Sequence, residues 1–251
     1  MSRYWLDYSA TDLQIDPART IAILPTAAIE QHGPHLPLGV DTIIAQGLCD
    51  LLVERCPAEI DIRLLPVQAV GKSNEHLWAA GTLTLTAETA LRVWREIGFS
   101  VARAGVKKML ILNSHGGNTD LISIVARELR IEADMFCVRM GWGAGGVPDG
   151  LYSGQEMSQG IHGGDNETSL MLHFRPETVD MSKAQDFRWR HGANDIPPVG
   201  PVAHGWIASD VNAHGVAGEA HLASAEKGAA TAAHYVEHAI AVLQQMVDQS
   251  I

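Results

Sequence analysis

The sequence predicts an α/β fold, a three-layer α/β/α sandwich on a mainly parallel sheet. Short apolar, β-branched runs alternate with longer segments of helical periodicity, the pattern of strands joined by crossover helices. Most of those runs are continuously apolar rather than alternating, as strands covered on both faces require. The chain has 251 residues, 46% of them hydrophobic, enough to bury a sizeable core. No internal repeat or linker interrupts it, so residues 1–251 are read as one domain.

The strands are expected at residues 20–25 (TIAILP), 60–67 (IDIRLLPV), 107–113 (KKMLILN) and 134–140 (DMFCVRM). Between them, residues 42–56 put Ile43, Ile44, Leu48, Leu51 and Leu52 on one helical stripe. Residues 86–105 open on a Thr-x-x-Thr cap and close at Gly105. Residues 118–133 open at Asn118, a favourable N-cap. An apolar helix covers TSLMLHF, and the Ala-rich tail, residues 224–249, forms a long terminal helix. Two Gly-rich stretches, about 141–165 and 191–219, read as long loops of the kind that carry function or contacts. Trp142, Trp189 and Trp206 stand in or beside them as exposed candidates for a pocket wall or an interface.

Composition excludes several classes. The formal net charge is −11 and no Lys/Arg cluster could track phosphates, so nucleic acid is not an expected partner. No run approaches the roughly 18 apolar residues of a membrane helix. The N-terminus lacks the apolar core of a signal peptide, and a cytoplasmic location is expected. The three cysteines, Cys49, Cys56 and Cys137, have no metal-type spacing and read as reduced structural thiols. Neither a G-x-G-x-x-G after a strand nor a P-loop occurs, which removes a nucleotide-binding reading.

The polar residues that carry chemistry fall just after the strands, where open α/β sheets bind ligands. In EQHGPHLPLGVD, Glu30 and His32 are two apart and point the same way in extended chain. Asp41 arrives at the start of the next helix. Alone it is a helix-start carboxylate, and His32 a loop histidine; together with Glu30 they form an O/N donor set for a metal. In ILNSHGGN, His115 follows the third expected strand, with Gly116 and Gly117 able to bring backbone close to a ligand. In HGGDNETSLML, His162 is placed for proton transfer and Glu167 as a ligand, although Asp165, Asn166 and Glu167 also suit a helix start. Ser73 and Glu75, from KSNEHLWAAGT, join Gly116 and Gly117 as candidate substrate contacts. Glu75 and His76 are adjacent, so a regular strand would turn only one of them to a site. His35, His173, His191, His204, His214 and His221 have no ligand spacing. His234 and His238, four apart on the terminal helix, read as a solvated face. Ser114 and Ser169 lack a nucleophile-elbow setting.

Taken in order, EQHGPHLPLGVDT, NSHGGN, HGGDNETSLML and GVAGEAHLASAEKG resemble the creatininase family of metal-dependent amidohydrolases. The resemblance runs from the first strand to the last helix. It implies that Glu30, His32, Asp41 and His115 hold a two-metal centre bridged by Asp41, that His162 moves the proton, and that the chain forms a homo-oligomer, a hexamer. The sequence departs from creatinine amidohydrolase proper where Gly116 and Gly117 replace a Tyr-Glu pair whose Glu binds metal; Glu167 is the candidate replacement. Ser158 and Gln159 stand where that enzyme has a Trp-Asp pair holding creatinine. The SHGGN form is similar to relatives acting on formamides and other cyclic or acyclic amides, including a formamidopyrimidine hydrolase and a peptide-trimming member. The expected reaction is attack of a metal-activated water on the amide carbonyl of a small substrate, with His162 as proton donor and Zn, Mn or Fe(II) as the two divalent ions. Keeping the fold but not the catalysis gives the alternative, a metal-stabilised binding or assembly protein.

Overall fold

The computed structural model describes residues 2–189 and 196–249; His191 and the first residues of the second Gly-rich stretch lie outside them. The central sheet has four strands, β1 (Ile21–Thr26), β2 (Ile62–Leu64), β3 (Lys108–Asn113) and β4 (Phe136–Gly141). Their order is β2-β1-β3-β4 and every pairing is parallel. The first strand sits in the middle, so the chain leaves it in one direction for β2 and returns across it to β3. That reversal is the topological switch point at which open α/β sheets place their ligands.

Each crossover is a helix: α1 (Val40–Arg55), α2 (Ala87–Arg103) and α3 (Thr119–Ala133). Side chains alternate across β1, so Ile21 and Ile23 pack on one face and Ala22 and Leu24 on the other. The first face is covered by α1 and by two later helices, α5 (Asp165–Phe174) and α7 (Ala225–Asp248), after the short α4 (Gly154–Gln159). The second is covered by α2 and α3, through Trp94, Val101, Val125 and Leu129. Helices on both faces of a parallel sheet make the α/β architecture. Lys108, buried in β3, donates to the carbonyls of Met246 and Val247, where the C-terminal end of α7 favours a cation.

Local chemistry sets the helix ends. Thr86 caps α2 by accepting from the Thr89 amide, and Gly105 takes φ +99° just beyond it. Ser224 caps α7 in the same way. Asn118 does not cap α3. Its carboxamide accepts from the Lys72 amide and donates to the Ala27 carbonyl and the Asn113 side chain, tying three loops together. The expected strand at 60–67 is regular only over Ile62–Leu64, because Pro66 offers no N–H to extend the ladder. The stretch read as a loop from 141 to 165 contains a 3-10 turn at Trp142–Gly145 and α4, capped by Ser153. In the second stretch, α6 (Ala208–Val211) precedes β6 (Gly218–Glu219), which pairs antiparallel with β5 (Asp186–Phe187). Trp142 is buried, not exposed, and Trp189 and Trp206 are half-buried. His234 and His238 are also half-buried, packed on the 142–145 turn, where His234 bonds the Gly145 carbonyl. Among the described residues no helix is long and apolar enough to cross a membrane.

Candidate metal centre

The loops after β1 and β3 are neighbours at the carboxyl edge of the sheet, and the site grows from them. Glu30 and His32 follow β1, just beyond the bridge that pairs Ile29 with Leu83. Asp41 is the second residue of α1, behind the Gly39 cap, and turns inward from the first helical turn. His115 follows β3. Glu167 is the third residue of α5, and accepts from the Gly163 amide at 2.6 Å. These five positions, spread over most of the chain, converge on one centre.

The distances are short. His115 Nδ1 lies 3.4 Å from Glu30 Oε1 and 3.3 Å from Asp41 Oδ2. His32 Nε2 lies 3.6 Å from Asp41 Oδ1 and 3.7 Å from Glu167 Oε2. Two donor groups result, Glu30–Asp41–His115 and His32–Asp41–Glu167, and Asp41 belongs to both. A third, Glu30–His32–His162, overlaps them. Glu30, His32, Asp41 and His115 are all buried, while Glu167 is partly open to the cleft.

Two buried atoms at the centre, His32 Nε2 and Asp41 Oδ2, have no hydrogen-bond partner. Polar atoms buried without partners are costly, and three carboxylates gathered among imidazoles call for positive charge. The donor set therefore fits divalent cations. It is carboxylate and imidazole, which suits Zn, Mn or Fe(II). Without cations, protons meet that demand. Burial opposes the proton on His32, yet Asp41, with Glu167 and Glu30, raises it to about 9. His115 is likewise lifted well above the usual histidine range by Glu30 and Asp41, against burial. Burial would push Glu30 up, but His115, then His162 and His76, hold its carboxyl well below the ordinary range. Burial lifts Glu167 to about 7, against the pull of His32. His162 goes the other way: burial, reinforced by the charges of His32 and His76, holds it well below the histidine range, so it stands neutral.

The remaining candidates surround this core. Ser73 Oγ donates to Glu30 Oε2. Glu75 pairs with Lys72 Nζ at 2.6 Å and comes within 3.8 Å of His115 Nε2. Asn74–His76 forms a 3-10 turn rather than a strand, so both adjacent residues reach the site. His76 Nε2 lies 3.4 Å from Glu30 Oε1, a place that sequence spacing alone leaves open. Gly116 faces open space, whereas a Cβ on Gly117 would fall 2.2 Å from Glu75 Oε1 and 2.5 Å from the Lys72 carbonyl. A side chain at 117 would thus crowd Glu75 and the Lys72 backbone, and glycine supplies no ligand there. Ser114 donates to the Asp41 carbonyl and Ser169 to Asp165, so neither hydroxyl is poised as a nucleophile. His35 is turned away, bonded to Thr168.

A cavity of ≈ 530 Å³ opens over Glu30, Asp41, His115, His162 and Glu167. Its far wall is built from the 198–206 segment, including Val199 and Trp206. Ser158, whose hydroxyl bonds the Gln155 carbonyl on α4, does not line it.

The family model for creatininase, described as creatinine amidohydrolase, matches residues 7–243. The chain is 32% identical over 228 residues to the mycofactocin precursor peptide peptidase of Mycobacterium tuberculosis, covering 88% of this chain and 83% of that one. It is 29% identical over 240 residues to the creatinine amidohydrolase of Pseudomonas putida, covering 89% and 87%. A manganese form of creatininase superposes with a TM-score of 0.77 at 23% identity, covering 99% of this chain and 100% of that one, a likeness of fold.

Proposed function

Because the chain belongs to the creatininase family, we propose that it is a two-metal amidohydrolase that cleaves a C–N bond of a small cyclic amide or formamide. The observation that carries this reading is the pair of three-residue donor groups sharing Asp41, with two orphaned donor atoms between them. Glu30, Asp41 and His115 would hold one cation, and His32, Asp41 and Glu167 the other. Glu167 takes the part that the glycine at 117 cannot. When bound, such cations lower the pKa of a coordinated water and polarise an amide carbonyl.

The chain's own residues do the rest. His162 is neutral, with Nε2 donating to the Gln31 carbonyl at 2.7 Å, so its bare Nδ1 faces the site. It takes a proton from the attacking water at Nδ1 and delivers it to the departing nitrogen, a role worth about 10²–10⁴-fold. Ser73 and the 3-10 turn hold Glu30, while Glu75, Gly116 and Gly117 form the near wall against which the substrate lies. The net charge of −11 favours neutral or zwitterionic substrates over polyanions. Creatinine itself is disfavoured, since Ser158 and Gln159 replace the pair that holds it in creatinine amidohydrolase. The same reading includes a cytoplasmic homo-oligomer, a hexamer, built from one domain per chain.

The test is a screen of formamides, lactams and cyclic ureides with protein loaded with Zn, Mn or Fe(II). Short peptides belong in it because of the mycofactocin peptidase relative. Hydrolysis that a chelator abolishes and added metal restores supports the proposal. A fully metal-loaded protein that hydrolyses no member of the screen favours the alternative, a metal-stabilised binding or assembly protein.

A further inference from the structure

Four imidazoles crowd the centre, and the structure determines which nitrogen of each faces inward. His32 Nδ1 meets the Glu30 carbonyl at 3.1 Å, His115 Nε2 the Lys72 carbonyl at 2.9 Å, and His162 Nε2 the Gln31 carbonyl at 2.7 Å. A carbonyl only accepts, so each of those nitrogens carries a proton and each ring turns its other nitrogen inward. His76 is different, and Gln31 makes it so. The Gly33 amide donates to Gln31 Oε1 at 2.9 Å, which fixes the orientation of the buried carboxamide. Its Nε2 then lies 2.9 Å from both the Gly215 carbonyl and His76 Nδ1. An amide nitrogen only donates, so His76 Nδ1 accepts and Nε2 bears the proton. That nitrogen lies 3.4 Å from Glu30 Oε1, a charge contact rather than an aligned hydrogen bond.

We infer that Gln31 sets the tautomer of His76, and that the two act as positioning residues for Glu30. Ser73 Oγ donates to Oε2 of that carboxylate, and His76 Nε2–H stands 3.4 Å from Oε1, close enough to bias its position by charge. With cations bound, the other three rings would turn lone pairs inward, and His76 would present the one inward N–H of the four. It is thereby withheld from the ligand set, despite standing as close to Glu30 as His115 and His162 do. Outer hydrogen bonds of this kind orient ligands and tune the ion they hold. The inference rests on the proposed function only in taking Glu30 as a ligand.

The experiment is long-range ¹H–¹⁵N correlation on the ¹⁵N-labelled, zinc-loaded full chain. Wild type is expected to show His76 protonated at Nε2 and bare at Nδ1. Gln31→Glu replaces the donor with a carboxylate, and should move the proton of His76 to Nδ1. Gln31→Met, which offers neither, should give a mixture and covers the case in which the glutamate variant does not fold. Zinc affinity should fall about 10- to 100-fold in Gln31→Glu, while His76→Gln, which keeps a donor, should lie nearer wild type than His76→Phe. A wild-type His76 protonated at Nδ1, or a tautomer indifferent to both substitutions at Gln31, overturns the inference. Failure to hydrolyse any amide with the His76 tautomer as expected would sink the amidohydrolase reading and leave this one standing.

Discussion

At the scale of single residues, the roles proposed for Asp41 and His162 concern different steps and can be separated. Asp41 belongs to both donor groups, and its Oδ2 is buried without a partner. Asp41→Ala should therefore release metal from both positions, read as a fall in metal per chain by elemental analysis, and abolish turnover. A fully metallated, active Asp41→Ala protein would rule out the shared role. His162 Nδ1 lies 3.5 Å from Glu30 Oε1, but the ring is anchored through Nε2 to the Gln31 carbonyl. His162→Ala should retain its metal and lose about 10²–10⁴-fold in kcat; loss of metal instead would move His162 among the ligands. These residues were legible in sequence because each sits beside glycines in a motif dense with potential ligands, EQHGPHLPLGVD for Asp41 and HGGDNETSLML for His162. His76 was half-legible: strand geometry would admit only one of Glu75 and His76, and the 3-10 turn that admits both has no sequence mark beyond KSNEH. The structural reason for Gly117 was hidden, since it lies in the contact with Glu75, 42 positions earlier.

At the scale of elements, the site depends on α5 being held against α7, because α5 carries Glu167. Gly228 makes that contact possible. A Cβ there would lie 1.9 Å from the Ser169 carbonyl oxygen, and backbone cannot yield as a side-chain tip does. Gly228→Ala should cost about 1–3 kcal/mol or more by forcing the helices apart. Thermal melting would read this as roughly 3–10 °C in Tm. An unchanged Tm would mean that the contact relaxes freely. The helices themselves announced their positions through spacing and caps: Thr86 caps α2 as its sequence suggests, and Ser224 caps the Ala-rich terminal helix. Asn118 did not, because three neighbouring loops compete for its carboxamide and win it from the helix. Short helices such as α4 escape periodicity, since one and a half turns cannot establish it.

At the scale of the whole molecule, the proposed cations and protons would act on the folded state together. A ligand that binds only the folded chain stabilises it by about 2.7 kcal/mol at 100 times its Kd. Loading each position should then raise Tm by roughly 5–10 °C, and a chelator should reverse it. Acid acts through His35 as well. Burial pushes its pKa from 6.5 down to about 4, so the folded chain holds it neutral where the unfolded chain takes a proton. The sign follows: its contribution is present above pH 6.5 and is lost as the pH falls through 6.5 toward 4. The metal-free protein should take up a proton at His35 on unfolding in that window. His35→Asn should flatten the slope there, measured by denaturant unfolding against pH; an unchanged slope would assign it to other groups. The layer architecture was readable from alternating apolar runs alone. The switch point between β1 and β3 was not, because strand order is set by which crossover packs where, a matter of tertiary contact rather than of pattern.

The proposed chemistry turns on Asp41 lying between two cations. Anomalous diffraction from crystals of the full chain grown with manganese or zinc measures this directly. Two peaks are expected on either side of the Asp41 carboxylate, one contacted by Glu30 and His115, the other by His32 and Glu167. A lone peak without Asp41, or peaks away from these five side chains, would contradict it.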